Sequence, residues 1–167
     1  VEERDSKSGR RVYLMSFWNL EKDIAYHLKR LLQGNNYFVA NDFEEKIKKA
    51  EEKQGFQFTQ EQIDGIKLGI EKQVCVISGL AGSGKSSLVT GILSVLDEYT
   101  FAQCALSGKA AARLQEVTGK EGFTIHRLLG YTGGCGFSYG EDNPLPYDII
   151  ILDEVSMVGG GIFLDLI

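Results

Sequence analysis

The run Val74-Cys75-Val76-Ile77-Ser78-Gly79-Leu80-Ala81-Gly82-Ser83-Gly84-Lys85-Ser86 restricts the fold more than any other stretch of the chain. Its first five residues read as a short β-branched strand, and the glycines that follow open onto a helix-forming segment near Gly84. Gly79, Gly84, Lys85 and Ser86 fit the spacing G-x-x-x-x-G-K-[ST] in the order strand, loop, helix. Gly79, Gly82 and Gly84 let the backbone turn its N–H groups inward, making an anion-binding nest at a helix N-terminus. Lys85 is placed to reach the β- and γ-phosphates, and the Ser86 hydroxyl to sit on Mg²⁺. Ala81, Ser83 and Ser87 complete the expected nucleotide-binding set, and ATP and Mg²⁺ are the expected ligands. The plain alternative is a glycine-rich turn that happens to contain a lysine.

A pairing partner for this site lies downstream. Tyr147 to Leu152 is nearly all apolar, as in a strand buried on both faces of a parallel sheet, and it ends in Asp153-Glu154. An acidic pair at the C-terminal end of such a strand is the expected second half of a phosphate site. Asp153 would hold the metal ion, and Glu154 would orient or deprotonate the attacking water. A solvated acidic pair at a strand end is the alternative. Together the two halves point to a Mg²⁺-dependent nucleoside triphosphatase with an α/β core.

The intervening sequence supplies the rest of an α/β domain. A helix is expected from Lys85 to Leu96, a second strand from Tyr99 to Leu106, a helix from Ala110 to Thr118, and a short helix or turn at 124–129. Gly130 to Pro146 reads as a long loop or irregular hairpin, of a length that more often serves a function than idles. Upstream, Thr59 and Gln62 form a capping box opening a helix through about Glu71, which gives Gln62 a sufficient structural role. Residues 1–11 read as a flexible lead-in, Val12 to Trp18 as a strand or packing segment, and a helix is expected from Glu21 to a stop at Gly34-Asn35-Asn36. Asn41 or Asp42 caps a further helix to Gln54 whose apolar stripe (Phe43, Ile47, Ala50) is narrow enough to suit a surface. Residues 1–55 are therefore expected to form a helical appendage, and 56–167 the nucleotide-binding domain.

Charge and cysteines bound the remaining possibilities. Residues 1–55 carry 11 Lys/Arg against 10 Asp/Glu, and 56–167 carry 7 against 13, which sum to the chain's 18 and 23. A domain-wide basic footprint for nucleic acid is absent, so any such contact must rest on a local patch or on parts of the protein outside this chain. No apolar run approaches the roughly 20 residues that span a bilayer. Cys75, Cys104 and Cys135 form no C-x-x-C pair, and Cys75 and Cys104 fall in strand-like runs, which suits buried free thiols in a reducing, cytoplasmic setting.

Three segments resemble the RecD-like DNA helicases, superfamily 1 enzymes related to the alpha subunit of exodeoxyribonuclease V. They are Ser107-Gly108-Lys109-Ala110-Ala111-Ala112-Arg113-Leu114, Thr124-Ile125-His126-Arg127-Leu128-Leu129-Gly130, and Asp148 to Val158 with Asp153-Glu154 inside it. The resemblance covers Phe56 to the C-terminus well and residues 12–33 less specifically. It implies a RecA-like core, with Gln62 in the place of a glutamine that reads adenine. Ser107, Gly108 and Lys109 take the place of a motif contacting single-stranded DNA phosphates, and Arg127 that of a strand contact. Lys109 also reads as a solvated helix-start lysine, Arg127 as half of an internal salt bridge, and His126 as a packed core histidine. The resemblance further implies 5′-to-3′ translocation in recombination or repair, and other subunits of a helicase–nuclease complex as partners.

Two departures stand out. Leu106-Ser107 replaces the expected threonine before Gly108, and Gly159-Gly160-Gly161 follows Val158 where an acidic residue is usual in the family. The span from Val1 to Ile167 reads as the N-terminal motor domain of a longer helicase, without the second RecA-like domain and its arginine fingers. A P-loop ATPase or kinase acting on non-nucleic-acid partners is the competing expectation, favoured by the acidic balance of 56–167.

Overall fold

The computed structural model describes residues 2–5, 9–80, 82–134 and 136–167. Strands β1 (Glu2–Asp5) and β2 (Gly9–Val12) pair as an antiparallel hairpin where a flexible lead-in was expected. Helix α1 (Met15–Leu32) begins six residues before the expected start, absorbing the aromatic segment read as a possible strand. Helices α2 (Phe43–Gln54), α3 (Gln60–Glu71) and α4 (Lys85–Val95) follow. The rest is strand β3 (Phe101–Ala105), helix α5 (Gly108–Thr118), strand β4 (Gly122–Thr124), helix α6 (Ile125–Leu128), strand β5 (Ile149–Leu152), a 3-10 turn (Val155–Met157) and helix α7 (Gly160–Leu166).

β3 is the centre of a three-stranded parallel sheet of order β4-β3-β5. The register sets Cys104 beside Phe123 on one side and beside Leu152 on the other, so all three strands run out at one sheet edge. Leu106-Ser107, Ile125 and Asp153 follow directly from those ends. This is the α/β core that the phosphate-loop reading demands. Helix α5 makes the crossover from β3 to β4, and the contact is close: a Cβ at Gly122 would collide with the backbone carbonyl of Ala111. Gln103, fully buried in β3, holds the far end of α5 by donating its Nε2 to Thr118 Oγ1 and to the Lys120 carbonyl, both at 2.7 Å.

The expected strand Val74–Ser78 is not one. The segment carries no ladder hydrogen bonds, and Val76 is 78% exposed. A strand needs a paired edge, and this run pairs with none: the described sheet ends at β4 on one side and at β5 on the other. Cys75 is exposed for the same reason, which corrects its reading as a buried thiol; Cys104 is buried as expected, and Cys135 lies outside the described residues. β5 is likewise less enclosed than its sequence implies, because nothing described covers its outer edge and Ile150 is 36% exposed.

Two apolar clusters build the interior. One joins Ile47 and Ala50 of α2 to Phe58, Ile66 and Ile70, and to Val95 and Leu96 at the end of α4. At about 1.5–3 kcal/mol per large buried side chain, this cluster dominates the stability of the helical layer. The stripe on α2 is therefore a core face rather than a surface one. Lys46 strengthens the same contact, its ammonium donating to the Val95 carbonyl at 3.0 Å and to Asp97 at 2.6 Å across the C-terminus of α4. The second cluster packs Ala102, Cys104, Ile125, Leu128 and Leu129 against the hairpin loop and α7.

α3 and α4 approach through glycine notches. Gly65 receives Leu88, Gly69 receives Ile92, and from the other side Gly91 receives Ile66 and Phe58. Interlocking of this kind fixes axial register as well as distance. It therefore fixes where α3 begins relative to the loop that starts α4.

Candidate nucleotide site

The glycine loop has the backbone its sequence calls for. Gly82 and Gly84 take φ of +79° and +84°, a region that side chains rarely enter, and Gly84 is the N-cap of α4. Gly79 is not among the left-handed glycines, but a Cβ there would lie 2.5 Å from Ser83 Oγ. Ala81 lies outside the described residues. Lys85 folds back over the loop, its ammonium donating 2.8 Å hydrogen bonds to the carbonyls of Gly79 and of Leu80. The cation thus stands at the mouth of the loop, with the first turn of α4 beneath it. Ser86 is exposed in that turn and Ser87 half-buried. The N-terminal end of a helix, its free N–H groups and one lysine are together suited to receive an anion.

Gln62 lies at the rim of this loop. The capping box forms in full: Gln62 N–H donates to Thr59 Oγ1 at 3.2 Å, and Thr59 N–H donates to Gln62 Oε1 at 3.0 Å. The other end of the amide, Nε2, stands directly against Gly84 where a Cβ would be.

At the sheet edge, Asp153 is half-buried, and its backbone N–H donates to the Cys104 carbonyl at 2.9 Å, extending the β3–β5 pairing by one residue. Its Oδ1 accepts the N–H of Glu154 at 2.9 Å. Glu154 is exposed at φ +53°. A left-handed conformation at a residue other than glycine costs of order 1–3 kcal/mol and concentrates at functional sites. Sequence reasoning found both carboxylates but had no signal for this strain. Among the described residues no hydrogen bond or ion pair joins the loop to Asp153 or Glu154, and each half is held by its own element.

The third group gathers at the ends of β3 and β4. Ser107 caps α5, its Oγ accepting Ala110 N–H at 3.2 Å. Gly108 has ordinary helical geometry and open space around it, and Lys109 is exposed with no ion pair among the described residues. Arg127, also exposed, pairs at the surface with Glu121 at 3.0 Å and lies 5.2 Å from the Phe123 ring centroid. His126 is exposed, not core: its ring meets Tyr131 and Phe137 at 5.8 and 6.0 Å. The β4–α6 junction turns it outward, because Ile125 and Leu128 occupy the buried face of that short helix. Tyr131 and Phe137 themselves bridge the expected irregular hairpin.

Residues 62–167 match the AAA domain family, a span that includes the loop, both carboxylates and the Ser107–Lys109 turn. The chain is 34% identical to the ATP-dependent RecD2 DNA helicase of Deinococcus radiodurans over 94% of its own length and 22% of that protein's. It is 29% identical to the RecBCD enzyme subunit RecD of Mycobacterium tuberculosis (89% of this chain, 29% of that one). The subunit RecD of Haemophilus influenzae is 28% identical (88% and 27%). The chain thus spans about a quarter of the length of the curated relatives it matches.

Proposed function

The chain belongs to the AAA domain family as a RecD-like member, and from that premise we propose that it is the nucleotide-binding motor domain of an ATP-dependent DNA helicase. The observation that carries the reading is the loop of Gly82 and Gly84 in left-handed geometry with Lys85 closing over it at the start of α4. That arrangement binds a polyphosphate, and the matched family is a nucleotide-binding one. In this reading Lys85 leaves its two carbonyls to engage the β- and γ-phosphates. Loop backbone N–H groups from Gly79 to Ser87, Ala81 included, hold the remaining oxygens.

A divalent cation, Mg²⁺ by this reading, fits the donors present. The Ser86 hydroxyl makes no hydrogen bond among the described residues, and Asp153 keeps one carboxylate oxygen free. No cluster of three acidic, His or Cys ligands exists among the described residues. The ion would complete its shell with phosphate oxygens and water, as Mg²⁺ habitually does, and would neutralise charge on the β- and γ-phosphates. Glu154, exposed beside Asp153, is the group that orients and deprotonates the attacking water.

The helicase part of the proposal rests on the sheet edge. Gly108 and Lys109 open α5 with N–H groups and an unpaired cation, which suits the phosphates of a single strand. Arg127, already paired with Glu121, joins the strand only by giving up that partner. Association with further subunits fits relatives named as subunits of the RecBCD enzyme, and movement along DNA in the 5′-to-3′ sense, recombination or repair as the process and a cytoplasmic location, which the resemblance of the sequence implies, complete the proposal. No helix among the described residues is long and apolar enough to cross a membrane.

Binding of the full-length protein to oligo-dT across a salt series tests this reading. Lys109→Ala should weaken binding and reduce the salt slope by about 1. Salt-independent binding, or a slope unaffected by the substitution, would favour a P-loop ATPase acting on non-nucleic-acid partners, a reading that the acidic balance of 56–167 supports.

A further inference from the structure

We propose that Leu20 of α1 is a positioning residue for Glu154, acting through a notch at Gly160 where α7 begins. The inference rests on the nucleotide-site reading above and adds the N-terminal helix to the control of that site.

Little in its own sequence holds α7. It has seven residues, fewer than an isolated helix needs in water. Its N-cap, Gly159, offers no side chain to the first turn, and that turn opens on Gly160 and Gly161, of the poorest helix-forming type after proline. Packing must supply what propensity does not. One face of the segment meets the second core cluster through Val158, Ile162 and Leu166. Another is met by α1: a Cβ at Gly160 would lie 3.0 Å from Leu20 Cδ2 and 3.5 Å from Ile24 Cδ1. Gly159 and Gly161 have open space around them, so Gly160 is the one of the three glycines against which α1 rests. Further along α1, Arg30 Nη2 donates to the Ile167 carbonyl at 2.7 Å and ties the two helices again near their other ends.

The path from α7 to Glu154 is short and stiff. Only the 3-10 turn and Val158 separate Glu154 from Gly159. Met157 N–H donates to the Glu154 carbonyl at 2.9 Å, and Val158 N–H to the Val155 carbonyl at 3.1 Å. None of the three turn residues is buried, and Met157 is 66% exposed, so the turn has no packing of its own to stop it following α7. A strained backbone persists only where the surrounding structure over-determines it. For Glu154 at φ +53°, β5 supplies that restraint on one side, and α7 seated on α1 supplies it on the other.

Paired substitutions in the full-length protein test this coupling. Leu20→Ala empties the notch, Gly160→Leu fills it and expels Leu20, and the double variant refills it from the α7 side. Amide hydrogen exchange without nucleotide and steady-state ATP turnover are to be read on each. Both single variants should speed exchange at 154–160 by about tenfold or more and leave 82–88 unchanged. Both should lower kcat by about ten- to a hundredfold, with KM for ATP unchanged. The double variant should bring both readouts back to within about threefold of the unsubstituted protein. Should Leu20→Ala unfold at the assay temperature, Leu20→Val, shorter by one methylene, takes its place.

Unchanged exchange at 154–160 in both single variants overturns the proposal. So does a loss of kcat that the double variant does not recover, or one matched by an equal weakening of ATP binding, since the effect would then be general destabilisation. Failure of the unsubstituted protein to turn over ATP, with the exchange pattern as expected, overturns the nucleotide-site reading instead, an outcome that the exchange data keep separate.

Discussion

The backbone N–H of Glu154 donates to Asp153 Oδ1 at 2.9 Å, and Glu154 itself sits at φ +53°. The first carboxylate therefore helps hold the second in a conformation that only glycine adopts at no cost. Glu154→Gln should preserve nucleotide binding in the full-length protein while steady-state ATP turnover falls by about 10²–10⁴-fold. Glu154→Gly should also remove turnover yet raise stability by about 0.5–1 kcal/mol in a denaturant titration, because the strain is relieved. Loss of stability in the glycine variant would show that the left-handed turn carries no cost here.

The glycines divide into those that give way and those that cannot. Gly122→Ala places its methyl on the Ala111 backbone carbonyl and should cost about 3 kcal/mol by chemical denaturation. Gly65→Ala meets the end of the flexible Leu88 side chain, 2.6 Å from its Cδ1. Rotation of that leucine, offset by the better helix propensity of alanine, should keep the change within about 1 kcal/mol. Equal costs at the two positions would contradict this assignment.

The cysteines should differ sharply in reactivity. Burial pushes the Cys104 thiol up to about 12, whereas Cys75 is exposed. In a Cys135→Ser background, a thiol reagent at pH 8 should label Cys75 within minutes and Cys104 only after denaturation. Peptide mass spectrometry reads the outcome, and prompt native labelling of Cys104 would count against its burial.

Asp148 enters β5 with its carboxylate accepting from the Thr100 hydroxyl and backbone N–H, both at 2.8 Å. The hydroxyl, then the N–H, holds its pKa below the ordinary aspartate value. A carboxyl depressed by folding contributes stability that is present above its unfolded pKa and lost as pH falls through its folded one. The melting-temperature difference between the unsubstituted chain and Asp148→Asn should therefore be constant above about pH 5 and shrink towards about pH 2. A difference that does not change over that range would remove Asp148 from the acid response.

The site was more legible in the sequence than the fold around it. Gly82, Gly84, Lys85, Asp153 and Glu154 announce themselves because phosphate chemistry demands those residue types at those spacings, and local geometry follows from them. Capping at Thr59 and at Ser107 was readable for the same reason, being an interaction between near neighbours. Val74–Ser78 was misread because strand formation depends on a partner edge, which no local pattern reports. The α2 stripe was misjudged because three apolar positions look too few until Phe58, Ile66, Val95 and Leu96, distant in sequence, pack onto them. His126 failed for a subtler reason: in a four-residue helix one position separates the buried face from the exposed one.

The hold of Lys85 on the carbonyls of Gly79 and Leu80 sets a threshold for entry to the loop. An incoming anion finds the ammonium already well solvated by two dipoles, so binding is an exchange rather than the relief of a bare charge. A singly charged ion repays that exchange poorly, whereas a chain of linked phosphates repays it several times over from one molecule. On the nucleotide-site reading proposed above, the loop selects for charge density and takes a polyphosphate in preference to a monoanion.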